Sequence, residues 1–162
     1  MQIDTLRFGQ IEVDEDKIVD FAEGIPGFED LKKFVLLSPE QTRPIYWMQA
    51  IGNGEIALPV LSSFDILEDY SLEIPDDMVE ELKLEGIEDL LVLNVAVLPE
   101  DISQMTANLA APILMNVRLN IGKQIVIDSK EHPTRYPIFE DICKAMNAEG
   151  GEEANAGTDK KD

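Results

Sequence analysis

One histidine and one cysteine are all this chain offers as groups that change protonation or attack an electrophile near neutral pH. His132 stands in Glu131-His132-Pro133, a turn context that places it outside a core. Cys143, in Ile142-Cys143-Lys144, reads as a small hydrophobe on a terminal helix. The two are eleven positions apart, with no neighbouring Asn or Asp pattern to orient a dyad, so nucleophilic catalysis has little to build on. They cannot furnish a zinc tetrahedron either. Gly24-Ile25-Pro26-Gly27 lacks the Lys and the Ser or Thr of a phosphate loop, and Pro26 removes an N–H donor. The clusters Asp14-Glu15-Asp16 and Asp76-Asp77 lack EF-hand spacing and read as solvated charge. No catalytic residue, metal ligand or cofactor is expected.

Charge is the stronger signal. The 162 residues carry 33 acidic and 13 basic side chains, a net charge of −20. A surface of that sign repels phosphates, which excludes direct nucleic-acid binding and disfavours anionic membranes. The longest near-continuous apolar run, Leu90 to Leu98, spans nine residues where a membrane helix needs roughly twenty. Met1-Gln2-Ile3-Asp4-Thr5 has neither a basic nor an apolar leader region, and a lone cysteine suits a reducing compartment, so a cytoplasmic protein is expected. The same field steers basic protein partners.

The elements that position these groups are short. Apolar stretches broken by Pro, Gly, Asn and Asp predict strands at Gln2–Phe8, Ile11–Val13, Lys17–Phe21, Phe34–Leu37, Ile45–Ala50, Glu55–Leu61, Leu90–Leu98, Met105–Leu109, Pro112–Asn116 and Lys123–Ile127. Gly52-Asn53-Gly54 predicts a hairpin between two of them. Leu90 to Leu98 does not alternate and should be covered on both faces. Helical period appears from Pro75 to Glu85, where Met78, Val79 and Leu82 share one side and Asp77, Glu80 and Glu81 the other. A second short helix is expected from Ile138 to Met146. The fold class is mainly β: one small antiparallel β-barrel-like domain over residues 1–146 with one or two short helices, followed by a disordered acidic tail, 147–162.

Aromatics near turn signals, Phe28, Tyr46, Trp47, Phe64 and Tyr70, are either core residues or binding anchors. Together with the acidic surplus they describe a binding module for proteins. Two other classes stay open: a carboxylate-dependent enzyme, which needs a buried acid pair with separated pKa values, and a nucleic-acid mimic, which needs acids regularly spaced along one ridge.

Four segments then occur in order: Phe21-Ala22-Glu23-Gly24-Ile25-Pro26-Gly27-Phe28-Glu29, Trp47-Met48-Gln49-Ala50, Met105-Thr106-Ala107-Asn108-Leu109-Ala110-Ala111-Pro112-Ile113 and Gly122-Lys123-Gln124-Ile125. In these the chain resembles the FliW family of flagellar assembly factors, from about Ile3 to Ile138. It departs at Met48-Gln49-Ala50, where the family tends to Leu-Gln-Ser, and at Leu58-Pro59, so Pro59 should face an open edge or bulge. The resemblance implies a non-catalytic cytoplasmic β-barrel that binds flagellin and the translational repressor CsrA, releasing CsrA when flagellin takes its place. It also implies roles for Ile25 and Phe28, as a barrel plug or part of a partner groove, for Trp47 in the hairpin, and for Met105, Thr106 and Asn108, of which Asn108 has the alternative of satisfying buried backbone. An acidic face for CsrA is expected from Asp76, Asp77, Glu80 and Glu81, with Glu29 and Asp30 as second choice.

Overall fold

Short apolar runs fold into eleven strands and three short helices among residues 1–147, the part of the chain that the computed structural model describes. In chain order these are β1 (Gln2–Thr5), β2 (Gly9–Glu12), β3 (Ile18–Asp20), β4 (Lys33–Leu37), β5 (Tyr46–Ala50), β6 (Ala57–Leu61), α1 (Ser63–Ile66), α2 (Asp76–Glu81), β7 (Leu90–Val97), β8 (Thr106–Ala107), β9 (Ile113–Asn116), β10 (Ile121–Gln124), β11 (Tyr136–Pro137) and α3 (139–147). The expected boundary at 146 lies within α3, which is helical through 147, the last described residue, and the rest of the expected tail lies outside the described residues.

Seven strands close into a ring in the order β7-β6-β5-β4-β3-β10-β9, with β9 returning to β7. The expected antiparallel barrel is present, and because an odd number of strands cannot close with every neighbour antiparallel, one seam differs: β10 runs parallel to β3 at Ile121↔Asp20. Strands β8 and β11 extend the sheet from the C-terminal half of β7, and β1 with β2 forms a separate hairpin.

Alternation along each strand divides the apolar residues between inside and outside. Phe21, Phe34, Met48, Val60, Leu93, Ile113 and Met115 fill the barrel. Trp47, Leu61, Ala96, Met105, Leu109, Ile138 and Ile142 form an outer layer with Ile66 of α1 and the α3 segment. Met78 of α2 and Leu82, directly after it, cover Val92 and Leu114 as a second outer layer. Both faces of β7 are therefore apolar, which is why its sequence shows no alternation. Pro59 pairs with Trp47, while the register with β7 begins at Val60↔Val95, so that ladder ends where proline has no N–H to donate.

Buried amides finish the ends of strands. Asn116 Nδ2 donates to Leu82 O (2.8 Å) and Lys83 O (3.2 Å), while its Oδ1 accepts from Arg118 N (2.9 Å) and Leu119 N (3.1 Å). One side chain thus ties the end of α2 to the barrel and shapes the β9–β10 turn. Asn116→Ala is expected to cost roughly 1–3 kcal/mol in urea unfolding, with faster amide exchange in α2 than elsewhere. Uniform exchange would remove its anchoring role.

Candidate functional site

The acidic face begins with Pro75, whose extended backbone fixes the start of α2 and is followed by Asp76 and Asp77 at the end where the helix favours negative charge. Met78 and Leu82 turn inward, leaving Asp76, Asp77, Glu80 and Glu81 exposed on the other side. The helix stops four residues short of the expected Glu85 because Lys83 adopts φ 54°, with Leu84 N donating to Val79 O (3.0 Å) and Lys83 N to Glu80 O (3.1 Å), a Schellman closure.

Lys123, on the outward side of β10, holds this face to the motif loop. Its Nζ lies 2.9 Å from Glu81 Oε2 and 3.1 Å from Glu23 Oε2, and those two carboxylates, Glu81 foremost, raise its pKa. Glu81 is therefore already paired, while no ion pair engages Asp76, Asp77 or Glu80 among the described residues. Behind the helix, Asp89 is buried; its Oδ2 accepts from Glu85 N (2.9 Å) and its carboxylate faces Arg118 Nε (3.3 Å). The backbone bond from Glu85, then Arg118, holds its carboxyl below the usual range. A depressed folded-state pKa contributes stability that is fully present above the unfolded value, about 3.9, and is lost as pH falls through the folded one. The urea midpoint is expected to drop below about pH 4, and Asp89→Asn to flatten that drop; an unchanged acid limb would assign it to other groups.

The motif loop is two-sided. Gly24 has φ 70°, and a Cβ there would meet Glu29 Cα and O at 2.7 Å, so the bend requires glycine. Ile25 points into the barrel core beside Phe21, Pro26 is exposed, and Phe28 is half-buried, its N–H bonded to Ile25 O (2.7 Å). Glu29 Oε2 accepts from Gly27 N (3.1 Å), which lowers its pKa.

Three residues singled out from sequence are enclosed: Ile25 (3% exposed), Trp47 (3%) and Met105 (4%). Trp47 is also fully engaged, donating from Nε1 to Thr42 Oγ1 (3.2 Å), packing edge-on to Phe8 and lying 4.2 Å beneath the Arg7 guanidinium. Their burial makes them packing residues: Ile25 takes the plug position given as its alternative, and Trp47 and Met105 expose almost no side-chain surface. Asn108 Oδ1 accepts from Ala110 N (3.0 Å) and Ala111 N (3.1 Å), the backbone role given as its alternative. Thr106, in β8 between Val97 and Pro137, is half-buried. The structure thus joins the acids of α2 to the Gly24–Gly27 loop through Lys123, and places Thr106 and Asn108 in a different part of the sheet.

Sequence reading missed an open cleft of about 1280 Å³. Tyr70, His132 and Tyr136 line it with Glu68, Asp69 and Asp141. His132 is half-buried; its Nε2 lies 2.8 Å from Ser71 O and its ring stands edge-on to Tyr70. Burial pushes the Tyr70 phenol up. These residues come from segments far apart in the chain, so no spacing announces the cleft. No metal-holding group of His, Cys, Asp and Glu occurs among the described residues, Asp89 is their one buried carboxylate, and no helix among them is long and apolar enough to cross a membrane.

The family described as FliW protein matches residues 2–138. The flagellar assembly factor FliW of Caldicellulosiruptor saccharolyticus is 41% identical over 135 residues, covering 83% of this chain and 88% of its own. That of Clostridium kluyveri is 42% identical over 139 residues, covering 86% and 96%. A crystal structure of the flagellar assembly factor FliW superposes with a TM-score of 0.80 at 31% identity, covering 86% of this chain and 97% of that one.

Proposed function

Because the chain belongs to the FliW family of flagellar assembly factors, we propose that it acts without catalysis, by holding flagellin or CsrA in the bacterial cytoplasm. Which partner it holds decides whether CsrA is free to repress flagellin translation. The observation that carries this reading is the acidic side of α2, outside any ion pair of the described residues at Asp76, Asp77 and Glu80, on a chain of net charge −20. A protein that binds RNA must present basic surface, and an anionic partner beside that surface opposes RNA by charge as well as by occupancy. The missing buried acid pair among the described residues weighs against the carboxylate-enzyme alternative.

The test is a competition titration with purified components. Flagellin is expected to displace labelled CsrA from the chain in a saturable manner. Simultaneous binding of both with unchanged affinities would overturn partner exchange, and failure of either to bind would remove that partner from the reading.

A further inference from the structure

The outer face of the barrel is covered in two places, by α1 and α3 over one apolar layer and by α2 over another. Between them lies a groove of about 380 Å³, floored by Leu90, Leu91 and Val92 and walled by Phe64, Ile74 and Ile87. Ile87 is 82% exposed and Phe64 48%, so two large apolar side chains stand in water at its rim. A single exposed apolar residue is ordinary; a groove apolar on floor and walls marks a docking surface. Asp65 is the one charged residue lining the groove and no basic residue lines it, while exposed Glu73 stands between the lining Leu72 and Ile74 and exposed Glu88 follows Ile87.

The β6–β7 ladder ends at Leu61↔Asn94 and α1 follows β6 directly, so the groove floor is flanked by helices rather than by a neighbouring strand. The same barrel face is helix-covered on both sides, and a helix brings its own backbone satisfied. We propose that the groove takes an amphipathic helix of a partner polypeptide, with its apolar stripe between Phe64 and Ile87 and Lys or Arg on its flanks against the acidic rim. The proposal rests on the reading of this chain as a docking protein and assigns that role a surface.

The probe is a fluorescent synthetic helix of about 18 residues, with leucine on one stripe and lysine on the flanks, titrated with the full chain and read by anisotropy. Ile87→Glu alters an exposed side chain, so it is expected to melt as the parent does while binding the helix at least about tenfold more weakly. Leu6→Glu, at a leucine 77% exposed outside the groove, should leave affinity within about twofold. A helix with glutamate in place of lysine should not bind. Equal affinity for parent and Ile87→Glu, or equal binding of the glutamate helix, overturns the proposal. Binding of purified flagellin to the parent chain decides the broader reading separately, so the failure of one leaves the other result standing.

Discussion

Gly122→Val is expected to leave little folded protein at 37 °C. Gly122 lies in β10 on the barrel's inward side, where an added Cβ would meet the Phe21 ring at 2.7 and 2.8 Å and Leu114 O at 3.2 Å. Phe21 is fully buried and packs edge-on to Phe34 with ring centroids 5.6 Å apart, so it has no space to withdraw into. Forcing one methyl into a filled core costs about 1–3 kcal/mol, and valine adds two more carbons to it. Against a total stability of about 5–15 kcal/mol, that removes most of the margin of a domain of this size. The position also adjoins the parallel β3–β10 seam, where closure rests on the single Ile121↔Asp20 register pair. Gly122→Ala should be milder, and Phe21→Leu added to Gly122→Ala should recover part of the loss in urea midpoint. If Gly122→Val unfolds at the parent midpoint, the barrel interior is looser than these contacts indicate.

The physics that makes Gly122 sensitive also explains what could be read in advance. Strands such as β7 and the β5–β6 hairpin were legible because their signal is local: an unbroken apolar run, or a Gly-Asn-Gly turn between two runs. The N-terminal strand was not, since Leu6 to Phe8 look like strand continuation while Thr5 Oγ1 takes Phe8 N (2.9 Å) and donates to Gly9 O (2.8 Å) to make a turn. At β10 the expected Lys123–Ile127 gives way to Ile121–Gln124, because the turn capped by Asn116 sets register with β9 from Ile121 onward. β11, two residues of which one is proline, carries no periodic signal at all. The candidate site divides in the same way. The acidic side of α2 follows from a helical period contained in six residues, whereas the enclosure of Ile25, Trp47 and Met105 depends on strands brought together from across the chain.

Charge reversal on α2 is the change expected to alter partner exchange most. Asp77→Lys with Glu80→Lys moves the net charge from −20 to −16 and places two cations on the face proposed to meet CsrA. Both side chains are exposed and outside the ion pairs of the described residues, so the fold should lose only the roughly 0.3–1 kcal/mol that a carboxylate contributes at the start of α2. Glu81 is the wrong residue to reverse, because a lysine there would confront Lys123 and unfasten the link to Glu23, mixing a binding effect with a structural one. Each exposed pair contributes only about 0–1 kcal/mol, but the acids act together on diffusional encounter. The association rate for CsrA is expected to fall about tenfold at low salt, with the dissociation rate changing far less. At 0.15 M ionic strength the Debye length shortens to about 8 Å, and the difference between parent and variant should narrow. An unchanged association rate at low salt would remove α2 from the encounter surface. Flagellin binding is expected to persist in this variant; a parallel loss of flagellin would instead mean that both partners depend on the same acids, and exchange would then follow from direct competition for α2.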